Sequence, residues 1–403
     1  MSKLSKFIFA VSLLSSFSAF AKPLSNHHVL VAPKCLTKDF SVGHKVLASN
    51  DNLSLIETNK TGFEALLELR QQVKTKDCGG FVDVTDFWKV DKSQNLTAKQ
   101  SAKQFLTDYT VTETENKFTA PPLRNNKQVS QLMSKIDGDA MWDRLVELSS
   151  APDRFANSNT GEMTALELQS EVEKLAATYS RSDVSTRLVA TGSRYKQKSV
   201  VVKIGNSDLP AVVIGAHMDT LRNNKPGADD DGTGTVTLLE AAKVVLSSEV
   251  QFKRPVYFIW YAAEEMGLVG SNHVVKDFVS KNIPVLSVMQ LDMTGYAYQN
   301  DLTMWLLKDY VDQDLTNYVE SLIDAYVGRP VKYTTCGYAC SDHASWTLKG
   351  FSSSAPFESK FGTENPFIHS SQDTIEKLSL DHMKDYAKLA VAYITELAEP
   401  LEK

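Results

Sequence analysis

From residue 199 onward the chain carries four short, almost unbroken apolar runs: SVVVKI at 199–204, AVVIGA at 211–216, PVYFIWYA at 255–262 and PVLSVMQL at 284–291. Their length, their β-branched and aromatic content and the Gly and Pro around them predict buried strands. Helical periodicity fills the intervals, over 235–248 and 268–280, with a last helix near 378–396. Before the first run, Leu168, Val172, Leu175 and Ala176 recur at three- and four-residue spacing, which predicts a helix as well. Strands that are apolar throughout and alternate with helices form a mostly parallel sheet covered on both faces. The expected class is therefore α/β.

The first third has a different texture. Residues 1–21 place Lys3 and Lys6 before an apolar run from Phe7 to Phe20, ending in Ala19-Phe20-Ala21. That is the layout of a secretory signal peptide cleaved after Ala21, and the run is too short to span a bilayer. A buried N-terminal helix would not need the positive flank and the small cleavage-site residues together. Near Pro121 and Pro122 the sequence turns polar, as in an exposed linker. Residues 22–124 are thus expected to form a small α+β unit of propeptide type, with a helix in GFEALLELRQQV and strands in FVDVTDFWKV, and residues 125–403 the catalytic domain. The earlier unit carries no evident chemistry.

Composition narrows the function. A net charge of −6 with no concentrated Lys/Arg run excludes nucleic acid and anionic membranes as natural partners, and the protein is expected to be a soluble, exported monomer that passes through the periplasm. The four cysteines, Cys35, Cys78, Cys336 and Cys340, suit two disulfides between sequence neighbours in an exported chain. Neither pair lies near the His and carboxylate motifs in sequence.

Those motifs are GAHMDT at 215–220, PGADDDGTG at 226–234, YAAEEMG at 261–267, QLDMTGY at 290–296, and His369 in NPFIHSSQDT. His217, Glu264 with Glu265, and Asp292 each follow an apolar strand, so three strands deliver candidate ligands to the carboxyl edge, where open parallel sheets bind ligands. Each motif has a plainer explanation. Asp229, Asp230 and Asp231 could cap the next helix, although capping accounts for only one or two of them. Glu264 and Glu265 could be an exposed strand end, and His217 a satisfied core histidine. Their coincidence at one edge is what points to a metal site, and a His/Asp/Glu set without cysteine suits zinc or a neighbouring divalent ion and hydrolytic chemistry.

With YKQKSVVV, PGADDD, QLDMT, CGYACSDHASW and PFESKF…NPFIH added, the chain from about residue 130 to its end resembles the bacterial leucyl aminopeptidases, which are secreted di-zinc exopeptidases. The resemblance implies a three-layer α/β sandwich and removal of a large hydrophobic residue such as leucine from peptides with a free N-terminus. It further implies two Zn2+ ions bridged by Asp230, with Glu265 and His369 completing one site and His217 and Asp292 the other. Asp219 would orient His217, Glu264 would act as general base, and Tyr338 would stabilise the tetrahedral intermediate. A Cys336–Cys340 disulfide would fix the loop carrying Tyr338, and a cis peptide is expected between Asp230 and Asp231. The side-chain pocket would comprise Met293, Tyr338, Phe357, Phe361 and Ile368, with Ala355 and Glu364 departing from the usual larger or aromatic residues. Glutaminyl cyclases share the fold but use one zinc; retention of Asp230 and His369 argues against that reading. A binding module that had lost its ligands would not keep all five, and a carboxypeptidase-type enzyme would need a substrate carboxylate.

Overall fold

A computed structural model describes residues 27–38, 40–72, 78–93, 95–109 and 118–401. The signal-peptide stretch, 1–21, lies outside the described residues. Among those described, no helix is long and apolar enough to cross a membrane.

The expected apolar runs form the middle of a six-stranded sheet ordered Ser353–Ser354, Val285–Gln290, Ala211–His217, Val256–Tyr261, Ser199–Ile204 and Val184–Val189. The first four are parallel to their neighbours, whereas Ser199–Ile204 runs antiparallel to both Val256–Tyr261 and Val184–Val189. Val184–Val189 has mostly half-buried positions and no continuous apolar run. It pairs as the outer arm of a hairpin, which is why its own sequence did not signal it.

Alternate residues of each strand feed two cores. Val212, Ile214, Phe258, Trp260 and Met289 pack under the helices Gly234–Leu246 and Leu380–Ala398. Val213, Tyr257, Ile259 and Val288 face Val274, Val275 and Phe278 of the helix Val269–Ser280, together with Trp346. The result is helix, sheet, helix: three layers, with His217 as the last residue of its strand and Glu264, Glu265 and Asp292 just past theirs.

The preceding unit holds an antiparallel four-stranded sheet ordered His44–Ser49, Leu53–Asn59, His27–Pro33 and Val82–Asp83, with helices Lys60–Gln72 and Ala98–Asp108. The helix falls where the periodicity put it. In FVDVTDFWKV only Val82–Asp83 is strand, because beyond it Thr85 donates its backbone N–H (2.9 Å) and its hydroxyl (2.6 Å) to Asp83, turning the chain.

This unit is welded to the layers around the six-stranded sheet. Leu30, Phe63, Leu66 and Phe81 share one apolar cluster with Leu221, Ala263, Met266 and Val269, and Val29, Leu55 and Val82 share another with Leu268 and Ala344. Asp83, fully buried, accepts two bonds from Arg194, between the strands Val184–Val189 and Ser199–Ile204 (2.6 and 3.1 Å), and faces His28 at 3.0 Å. Asp86 meets His273 at 3.1 Å and Arg194 at 3.5 Å. Burial pushes the Asp83 carboxyl up, but the His28 hydrogen bond and the Arg194 charge outweigh it and hold it down to about 2, below an ordinary value of 3.8. A carboxylate with a depressed folded pKa stabilises above its unfolded pKa and loses that stabilisation as pH falls through the folded one. Docking of this unit should therefore persist at pH 5 and weaken between about pH 4 and 2. Arg194→Met, which strands a buried carboxylate at a cost of about 3–5 kcal/mol, should expose Val82–Asp83 to fast hydrogen exchange while the six-stranded sheet stays protected.

Candidate metal centre

Strand ends and loops bring five side chains together. His217 Nε2 lies 3.0 Å from Asp230 Oδ1 and 3.6 Å from Asp292 Oδ1. His369 Nε2 lies 3.0 Å from Asp230 Oδ2 and 3.2 Å from Glu265 Oε2. Two groups result, His217–Asp230–Asp292 and Asp230–Glu265–His369, each with one donor atom per residue and all donors within 4.8 Å of one another. Asp230 belongs to both and offers a different oxygen to each. Two imidazoles and three carboxylates are the donor chemistry zinc accepts, and three protein donors per group leave positions for water and substrate. The residues fit two divalent ions.

The acidic loop is shaped by its neighbours. The Asp230–Asp231 peptide is cis. Asp230 N–H and Asp229 N–H donate to the two oxygens of Asp373 (3.1 and 3.0 Å), which fixes the backbone of the shared ligand. Asp231 does not face the donors: it accepts N–H bonds from His217 (3.1 Å), Gly234 (2.9 Å) and Met293 (3.0 Å), tying three of the motifs together and capping the helix that follows. Asn365 donates to Asp229 at 3.0 Å, and the fully buried Arg154 braces the loop by donating to the carbonyls of Met218 (2.9 Å) and Gly227 (2.9 Å).

Asp219 differs in detail from the expectation. His217 Nδ1 lies 3.2 Å from the Asp219 backbone carbonyl and 3.6 Å from its carboxylate. That carboxylate instead accepts the backbone N–H groups of Glu264 (2.9 Å) and Glu265 (3.3 Å). One residue thus orients the imidazole and the Glu pair at once. Ser341 donates to Asp292 Oδ2 at 2.5 Å. Ala263, Met293 and His369 hold φ of 53°, 58° and 58°, left-handed conformations that cost non-glycine residues about 1–3 kcal/mol each. The backbone is bent to aim these side chains.

Glu264 lines the same cleft but belongs to neither donor group. Burial pushes its carboxyl well above the usual range; His217 opposes this, and Asp342, Asp292 and Glu265 add to it. Opposite the donors the cleft is walled by Met293, Leu307, Phe357, Phe361 and Ile368, with Tyr338 edge-on to Phe361 at 6.1 Å between ring centroids. Burial holds the Tyr338 phenol above its ordinary range, so it remains a hydrogen-bond donor. Cys336–Cys340 and Cys35–Cys78 are both disulfides, the first bracketing Tyr338.

Sequence reading missed what the preceding unit contributes. Arg70, from the helix Lys60–Gln72, enters the cleft and pairs with Glu265 Oε2, the oxygen that also faces His369. Gly79 and Gly80 lie so close to Tyr338 that a Cβ on either would collide with its ring. Asp83 N–H donates to the Gly267 carbonyl at 2.9 Å. Asp373, Asn365 and Arg154 were also given no role, although Asn365 and Asp373 both lie in the NPFIHSSQDT stretch.

A mostly parallel sheet with carboxylates and imidazoles gathered at its carboxyl edge has the build of a metal-dependent α/β hydrolase. Residues 199–394 match the model of peptidase family M28. Leucine aminopeptidase 1 of Ajellomyces capsulatus is 36% identical over 291 residues, 68% of this chain and 75% of that protein. The LapA aminopeptidase of Legionella pneumophila is 44% identical over 94% of this chain and 100% of its own, with a TM-score of 0.86; LapB of the same organism is 38% identical over 93% and 100%, with a TM-score of 0.85. Such coverage reaches into the preceding unit as well. A zinc aminopeptidase of Bacillus subtilis, 16% identical over 66% of this chain and 98% of its own with a TM-score of 0.54, shares the fold. The chain belongs to peptidase family M28, as a metallo-aminopeptidase.

Proposed function

We propose that the protein is an exported aminopeptidase that uses two zinc ions to remove an N-terminal residue, leucine among the preferred ones, from peptides. The observation that carries this reading is the pair of three-donor groups meeting at Asp230, with Glu264 beside them and outside both. Asp230, shared by the two groups, would help to hold both ions, with Glu265 and His369 on one side and His217 and Asp292 on the other. Zinc held there would supply Lewis acidity, enough to lower the pKa of a water from about 15.7 toward about 7 and to polarise the scissile carbonyl.

The chain's own residues do the rest. Glu264 takes a proton from the attacking water and passes it to the leaving amine. Asp219 holds the Glu264 and Glu265 amides and His217 in register. Tyr338 donates to the oxygen that becomes negative in the tetrahedral intermediate. Met293, Phe357, Phe361 and Ile368 receive the first side chain, and a cleft rich in carboxylates suits a free amine at the substrate's end.

Chromophore release from leucine p-nitroanilide, beside its N-acetylated counterpart, tests this. Only the free-amine compound should be hydrolysed, with activity lost on chelation and restored by zinc. Elemental analysis of the active protein should find two zinc ions per chain; cleavage of the acetylated compound, or activity indifferent to chelation, overturns the reading.

Residues 22–124 serve as a propeptide that covers the cleft until it is cut away. Arg70 on Glu265 and Gly79–Gly80 against Tyr338 occupy space that a substrate would need.

A further inference from the structure

We propose that Arg70 governs metal loading: while the preceding unit is attached, its guanidinium takes the place of an ion at the Asp230–Glu265–His369 group, and only the His217–Asp230–Asp292 group binds tightly. The proposal rests on the two-zinc aminopeptidase reading and says how that site is regulated. It differs from covering the cleft against substrate, because what the arginine displaces is the metal.

The two groups are not equally placed. Glu265 Oε2 faces His369 Nε2 at 3.2 Å, and the same oxygen accepts from Arg70 Nη2. A carboxylate oxygen committed to a charge-assisted bond with a guanidinium is a weakened donor for a metal. The fixed positive charge also repels a second cation arriving beside it. The side chains of His217 and Asp292 meet Asp219, Asp230, Ser341 and each other instead.

Arg70 is held in this position by packing. Phe63 and Leu66 of its helix are buried in the cluster that includes Leu221, Ala263 and Met266, the last being the residue after Glu265. The guanidinium lies over the Phe81 ring, 5.8 Å from its centroid, and Phe81 packs edge-on to Phe63 at 5.6 Å. The Arg70 side chain is only 7% exposed, and its Nε has no hydrogen-bond partner among the described residues. Burial works against its charge, and Glu265, Glu264, Tyr338 and Asp230 together keep it charged. A bond that merely tied the two units together would not need a metal donor as its acceptor.

The test is calorimetric titration of the metal-free full chain with zinc, before and after limited proteolysis and separation of the freed unit. The uncut chain should bind one equivalent tightly and a second roughly 10²-fold more weakly, the scale of competition from a charged hydrogen bond. The proteolysed chain should bind both tightly. Cobalt(II) in place of zinc gives a second readout, its visible absorption saturating at one equivalent in the uncut chain and at two after proteolysis. Arg70→Ala and Arg70→Met, the latter keeping an apolar stem over Phe81, should each restore the second tight equivalent in the uncut chain, and Glu68→Ala on the same helix should not. Two tight equivalents in the uncut chain overturn the proposal alone, as does a second site that stays weak in both Arg70 variants. One tight equivalent before and after proteolysis overturns the two-zinc reading with it. A doubly loaded, proteolysed chain that leaves leucine p-nitroanilide intact overturns the aminopeptidase reading.

Discussion

Glu264→Gln will lower kcat by about 10²–10⁴-fold, the contribution of a positioned general base, while zinc content stays near that of the unaltered protein. Glutamine keeps the size of the side chain, and the backbone N–H of residue 264 still donates to Asp219. What disappears is the ability to accept a proton. Glu264 is in neither group of donor atoms, so its replacement leaves His217, Asp230, Asp292, Glu265 and His369 in place. Glu265→Gln offers the contrast, because it weakens a donor and should reduce bound zinc as well as turnover. Metal analysis on both variants beside kcat separates the roles: equal zinc loss in the two would mean that the neighbouring glutamates are misassigned.

Cutting the chain before Pro121 will raise kcat/KM of the zinc-loaded protein by about 10²-fold or more, and Arg70→Ala in the uncut chain will recover part of that gain. A buried, charged hydrogen bond of the kind Arg70 makes with Glu265 is worth about 1.5–3 kcal/mol, which is roughly 10–100-fold in the competition for that carboxylate. The guanidinium stays charged: burial opposes this, but Glu265, Glu264 and Asp230 outweigh it. Arg70→Ala alone leaves Gly79 and Gly80 against Tyr338 and the shared apolar clusters intact, so access should be restored only in part. N-terminal sequencing of the secreted protein with activity measured on the same sample provides the check. A fully active form beginning at Lys22 would overturn the covering role.

The layered fold and the approach of His217, the Glu264–Glu265 pair and Asp292 to one edge were legible because they rest on local pattern, whereas the choice of Asp230, Glu265 and His369 came with the family resemblance. Continuous apolar runs such as AVVIGA are buried on both faces wherever they end up, and a His, Asp or Glu just past such a run arrives at the carboxyl edge of the sheet. Val184–Val189 was less legible because a partly covered outer strand need not be apolar.

What the sequence by itself determined was the α/β class, the edge on which the chemistry gathers and the residue types available there. Tertiary structure decided which atoms meet: Arg70 and Glu265 are 195 residues apart, Asp373 and Asp229 144, Arg194 and Asp83 111. Hydrogen bonds and ion pairs reach only a few ångströms, and no periodicity along the chain encodes a partner at such separations. Hydrophobic burial is nondirectional and leaves its mark in local pattern, so it can be read residue by residue; the polar contacts that orient the donors and close the cleft exist only once packing has brought distant segments together.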